Sequence, residues 1–129
     1  MPSYQISCAV EPQYVAEQSS PEDGVFGFAY TVTVTNTGDV AAQLIARHWV
    51  IADARGHKEE VRGLGVVGQQ PLLKPGESFQ YSSGARLRTA SGTMHGSYFF
   101  VAEDGHRFDA PIPMFVLESA GAGQSRVLH

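Results

Sequence analysis

Three glycines, Gly63, Gly65 and Gly68, follow directly on Arg62 at G-x-G-x-x-G spacing, the arrangement with which dinucleotide-binding turns bring backbone amides against a pyrophosphate. That chemistry needs a helix opening on the run and an acidic ribose ligand about 20 residues further on. Neither is present. Gln69 and Gln70 lead into Pro71-Leu72-Leu73-Lys74-Pro75-Gly76-Glu77, where the prolines and the glycine bar a regular helix interior. Glu77 comes too early to be the acid, and Ser78 to Thr93 contains no acidic residue. What the run keeps is three residues without Cβ, whose turn can leave amides open to an anion beside the positive charge of Arg62. Arg62, Gly63, Gly65 and Gly68 are therefore the expected anion loop. The competing and favoured reading is structural, a glycine-rich crossing between the two sheets.

Histidines at positions 48, 57, 95, 106 and 129 are the next groups with chemistry, because neutral imidazole binds zinc, copper, nickel and cobalt. No two stand at H-x-H or H-x-x-x-H spacing, so a metal site would have to be assembled across strands from His57 or His95 with Glu59 or Asp109. No metal ligand is assigned. His48 is read as a hydrogen-bonded core residue beside Trp49. Glu59 and Glu60 are neighbours and on a strand point to opposite faces, which prevents them from acting as an acid/base pair on one substrate. Ser82-Ser83-Gly84 lacks the nucleophile elbow and has no local base. No catalytic residue is assigned, and the chain is read as a non-enzyme without a cofactor.

These residues must be positioned by a single small domain. A chain of 129 residues and 13.9 kDa can bury about two-thirds of its unfolded surface around one core, and the expected organisation is one domain over 1–117 followed by a loose tail over 118–129 of linker composition. The net charge of −4 repels a phosphate backbone. Nucleic acid is excluded as a partner unless Arg47, Arg62, Arg86 and Arg88, which are spread along the chain, gather on one surface. The single cysteine, Cys8, rules out an internal disulfide and lies in an apolar alternation with Ile6 and Val10, as a small packed hydrophobe would. The N-terminus has no basic and apolar leader pattern and no stretch is long enough to insert in a membrane, so the expected location is cytoplasmic.

The elements are strands. Phe26, Phe28, Tyr30, Val32 and Val34 alternate with small and threonine residues up to Asn36, a strand with one face in a core. Ile6 to Val15 precedes it, with a polar turn over Ser19 to Gly24. Ala42 to Ala52 is apolar on both parities, as in a strand central to its sheet, and turns at Asp53 to Gly56 into Lys58 to Arg62. Ser78 to Leu87, Thr93 to Ala102 and Arg107 to Leu117 follow. Pro111 and Pro113, two apart, lack N–H groups on the same side of the last strand, which places it at a sheet edge or pairs it through its other side only. Seven to eight short strands with no helical period imply an all-β fold, an immunoglobulin-like or fibronectin type III-like antiparallel β-sandwich. The absence of a second cysteine favours the fibronectin-like variety.

Longer stretches carry a family signature. Gln18-Ser19-Ser20-Pro21, Phe28-Ala29-Tyr30-Thr31-Val32, Arg47-His48-Trp49, the block from Val61 to Pro71, Pro75-Gly76-Glu77, Tyr81-Ser82-Ser83-Gly84, Gly92-Thr93-Met94-His95-Gly96 and Ile112-Pro113-Met114-Phe115 resemble the bacterial ApaG proteins, also called CorD, from about residue 5 to 117. The resemblance implies a fibronectin type III-like sandwich, similar to a domain fused to F-box proteins and to a DNA-polymerase-interacting protein in eukaryotes, settings that suggest protein binding. It also implies an association with cobalt resistance and magnesium efflux, and a pyrophosphate-binding role proposed for the glycine motif at Gly63, Gly65 and Gly68. It carries no catalytic residues.

The expected function is a protein-interaction module whose partner is another protein, received on a sheet face or by strand addition at an edge. Tyr81, Tyr98, Phe99 and Trp49 are the candidate aromatic anchors, with burial in the core as the alternative for each. A small-ligand binder holding phosphate, pyrophosphate or nucleotide at Gly63 to Gly68 is the second expectation. Weak anion or divalent-cation binding is compatible with either.

Overall fold

A computed structural model describes residues 1–119. Eight strands are present: β1 (Ile6–Tyr14), β2 (Phe26–Asn36), β3 (Ala42–Asp53), β4 (Lys58–Leu64), β5 (Leu72–Leu73), β6 (Ser78–Leu87), β7 (Ser91–Ala102) and β8 (Arg107–Glu118). They form two antiparallel sheets that face each other. The smaller is ordered β1-β2-β6 and the larger β4-β3-β7-β8, with β5 also paired to β3. This is the expected fibronectin type III-like β-sandwich. The tail expected over 118–129 begins one residue inside β8, and its residues 120–129 lie outside the described part of the chain.

The period-2 pattern of β2 puts Phe28, Tyr30, Val32 and Val34 into the core and leaves Thr31, Thr33 and Thr35 outside, where they hydrogen-bond Ser82, Gln80 and Ser78 of β6. These cross-strand pairs fix the β2–β6 register. The polar turn before β2 is built from two short 3-10 turns, Ala16–Gln18 and Pro21–Asp23. At the far end of β2, Asn36 is buried, and its amide donates to the Val40 and Leu73 carbonyls while its carbonyl accepts the Gly38 N–H. That side chain ties the β2–β3 turn to β5.

Prolines place β8 as expected: it pairs with β7 alone, and the register slips between Met94 and Gly96, opposite Pro113. In β3 the register slips between Leu44 and Ala46. That bulge explains the mixed apolar pattern read from the sequence: Ala42 and Leu44 face inward before it, Arg47, Trp49 and Ile51 after it.

Trp49 sits at the core's centre, 2% exposed, edge-on to Tyr30, Tyr98 and Phe115 with ring centroids 5.3, 6.3 and 6.0 Å away. His48 points the other way. The expectation that it belongs to the core is overturned by simple strand alternation, since Trp49 takes the inward position and His48 the outward one.

Across the core the Tyr81 and Tyr98 hydroxyls hydrogen-bond each other. Burial pushes the Tyr81 phenol up from 10.0 to about 12 and raises Tyr98 further. Both are higher in the folded state than in the unfolded one, so the stability they contribute is complete below pH 10 and is lost as pH rises through about 12. Alkaline titration should therefore ionise these two phenols only together with unfolding. Their tyrosinate absorbance and the loss of near-ultraviolet circular dichroism are expected to coincide, and in Tyr98→Phe one phenol fewer should titrate in that step. Cys8, packed beside this core, has its thiol pushed up to about 11 by burial, which leaves it an inert thiol at neutral pH.

Candidate functional site at a broken edge strand

The glycine run lies where an edge strand breaks. β4 pairs with Ala46 to Ala52 of β3, and β5 pairs with Ala42 and Gln43, so the two strands occupy one position on the same side of β3. Residues 65–70 loop out between them, opposite the bulge of β3. The expectation that the run crosses between the two sheets is overturned: β4 before it and β5 after it both pair with β3, so it is a loop-out within one sheet. The chain passes to the other sheet only after β5.

The loop is fastened at its base. Gly65 N–H and the Gln70 side-chain amide both donate to the Ile45 carbonyl, at 2.8 and 3.0 Å, and the Gln43 side chain donates to Gln70 O at 2.9 Å. Val66, fully buried, exchanges two backbone hydrogen bonds of 2.8 Å with Gln69. The tight turn this closes has positive φ at both central residues, 42° at Val67 and 79° at Gly68, the signature of a primed hairpin turn. Glycine adopts this freely. A β-branched valine does so at a cost of about 1–2 kcal/mol.

Arg47 holds the loop from below. It shares strand parity with Trp49 and faces inward, and its guanidinium lies against Gly63, where a Cβ would stand 2.7 Å from Nη2. Nη1 donates to the Leu64 and Gly65 carbonyls at 3.0 and 2.9 Å. Among the described residues Arg47 has no carboxylate partner. Its role was not visible in the sequence, because only the Arg47–Gly63 register reveals it.

Arg62 is placed differently from Arg47. It projects from the opposite face of β4 and pairs with Glu60 at 3.0 Å; the same carboxylate oxygen lies 2.9 Å from His48 Nε2. The His48 hydrogen bond, then that of Arg62, holds the Glu60 carboxyl below its ordinary value. Glu59 points to the other side, as the sequence implied. Half of the loop's amides are spent: those of Gly65, Val66 and Gln69 are bonded, and those of Gln70 and, at the tip of the turn, Val67 and Gly68 have no acceptor among the described residues. An anion would meet two amides there, with the Arg62 head turned to the outer face.

On that face, His48, Ala46, Leu64, Ser97, Phe99 and Asp109 line a shallow groove of about 570 Å³. Leu64 stands 74% exposed at its rim, and Val67 is 56% exposed on the adjacent turn. Of the four aromatic candidates, Trp49, Tyr81 and Tyr98 are core residues and Phe99 alone lines this groove. Among the described residues no three His, Cys, Asp or Glu side chains come together to hold a metal. His57 and Glu59 share a crevice elsewhere, while Asp109 stands opposite Phe99, four residues along β7 from His95. No helix among the described residues is long and apolar enough to cross a membrane.

A family model described as ApaG domain matches residues 16–102. The chain is 65% identical to Protein ApaG of Acidovorax sp. (strain JS42) over the full length of both, and 58% identical to Protein ApaG of Azoarcus sp. (strain BH72), covering 98% of this chain and 96% of that one. It is also similar to a crystal structure of a Bordetella pertussis protein described as ApaA, with 53% identity, a TM-score of 0.88 and coverage of 90% of this chain and 94% of that chain.

Proposed function

The chain belongs to the ApaG domain family, and from this premise we propose that it works as a non-enzymatic protein-interaction module in the cytoplasm, docking a partner protein on the outer face of its larger sheet. One observation carries the reading: two exposed apolar side chains, Leu64 and Val67, are held out beside the groove floored by Phe99, and Val67 is held there in a strained conformation. An apolar residue kept exposed on a rigid, strained turn is costly to the free domain, and strain of that kind collects at binding sites. The His48–Glu60–Arg62 chain supplies a polar rim. Any effect on cobalt or magnesium handling then runs through the partner.

The test is capture from native lysate. Wild-type protein should retain at least one protein that Leu64→Asp and Val67→Asp both release, while Thr33→Asp, on the outer face of the other sheet, retains it. Identical retention by all three variants would sink the reading. The alternative, a phosphate or pyrophosphate held at Gly63 to Gly68, rests on the unbonded Val67 and Gly68 amides. It predicts saturable pyrophosphate-induced amide shifts confined to 62–70.

A further inference from the structure

Away from the groove, at the opposite end of β4, a second concavity of about 580 Å³ opens between the β3–β4 turn and the end of β6. Arg55, His57, Arg86 and Arg88 line it over a floor of Ile51 and Leu87, with Asp53 and Glu59 at its sides. In a chain of net charge −4 three arginines gather at this one crevice, and none of them has a carboxylate within ion-pair distance among the described residues. Asp53 does not serve them: its Oδ1 already accepts the Arg55 and His57 backbone N–H groups, each at 2.9 Å.

The crevice is fixed before any ligand arrives. Asp53 shapes the turn that carries Arg55. Thr89, directly after Arg88, accepts the Ala54 N–H at 3.0 Å and donates to Ser91 O at 2.8 Å, latching that turn to the end of β6. Arg86, in β6, and Arg88, just beyond its end, both line the crevice, and Leu87 between them is buried. Guanidinium forks pair with planar or tetrahedral oxyanions. One carboxylate has two oxygens and is satisfied by a single fork, whereas a phosphate ester presents three terminal oxygens that several forks can share.

We propose that this crevice is a binding site for a small phosphate ester, with the phosphate among Arg55, Arg86 and Arg88 and the organic part against Ile51 and Leu87. It is separate from the glycine loop and from the docking groove, and it stands whether or not the docking reading does. Phenyl phosphate, with benzoate as the carboxylate counterpart, is the probe for the ¹⁵N-labelled full chain. Phenyl phosphate is expected to shift amides of 53–57 and 86–89 saturably, and benzoate to bind about tenfold or more weakly. Arg55→Gln and Arg88→Gln should each weaken phenyl phosphate about tenfold, the loss of one charge-assisted pair, and Arg62→Gln should leave it unchanged. Both replaced arginines are exposed, so unshifted spectra elsewhere will verify the fold of the variants. Equal binding of benzoate, equal weakening by Arg62→Gln, shifts centred on 65–70, or no saturation at tens of millimolar would each overturn the proposal.

Discussion

Gly65→Ala is expected to destabilise the domain by about 2–4 kcal/mol, more than alanine at either other glycine of the run. Gly65 has φ 64°, which costs a residue with a Cβ about 1–2 kcal/mol. The new methyl would also fall on the Gln69 carbonyl, itself the acceptor of the Val66 N–H. That backbone oxygen cannot yield without opening the turn and lifting Val66 out of the core. Gly68 also has positive φ, yet nothing lies within 4 Å of a Cβ placed there, so Gly68→Ala should cost about 1 kcal/mol. Gly63→Ala should fall between them, because it presses on the Arg47 guanidinium, a side-chain end with some freedom to move. Urea midpoints of the three variants give the order directly, and equal losses would refute a loop set by local geometry. Val67→Asn makes the opposite change. Asparagine tolerates positive φ, so stability should rise by about 0.5–1 kcal/mol while capture of the partner falls.

Trp49→Ala should cost about 3–5 kcal/mol, a large part of the 5–15 kcal/mol by which domains are usually stable. The indole is edge-on to three aromatic rings contributed by both sheets, and alanine would leave a cavity that strands held in register cannot close. Chemical denaturation should show a much lower midpoint with an unchanged slope. A loss below 1.5 kcal/mol, the range of tolerated core exchanges, would mean that the ring is not the core's centre.

How much of this was legible beforehand differed by element. Strands β2 and β6 were read to the residue, because one face of each packs inward and burial writes a clean period of two. The edge position of β8 followed from the missing amides of Pro111 and Pro113. The bulge in β3 was not legible, since a slip of one residue changes which side chains face inward without changing composition. That slip hid the inward direction of Arg47. The two-residue β5 was equally hidden, being set by what it pairs with and by Asn36, with no pattern of its own. Arg62 was the natural partner for the glycines by adjacency, but adjacent residues of a strand face opposite ways, and the guanidinium at Gly63 comes from across the ladder. The crevice arginines could be named only in part: Arg86 and Arg88 stood out, and Arg55 joins them because Thr89 draws its turn alongside.

The loop-out between β4 and β5 also bears on how the protein survives at high concentration. An uninterrupted strand spanning both would offer neighbouring molecules a long row of unpaired amides and carbonyls, the template on which fibrils grow. Here that row is cut into a seven-residue segment carrying Lys58, Glu59, Glu60 and Arg62 and a two-residue remnant. The projecting turn stands in the path of any strand that would bridge them. On the far side of the same sheet, Pro111 and Pro113 remove donors from β8. The glycines that break the strand thus leave Leu64 and Val67 uncovered on a domain that presents no continuous strand border there for copies of itself to extend.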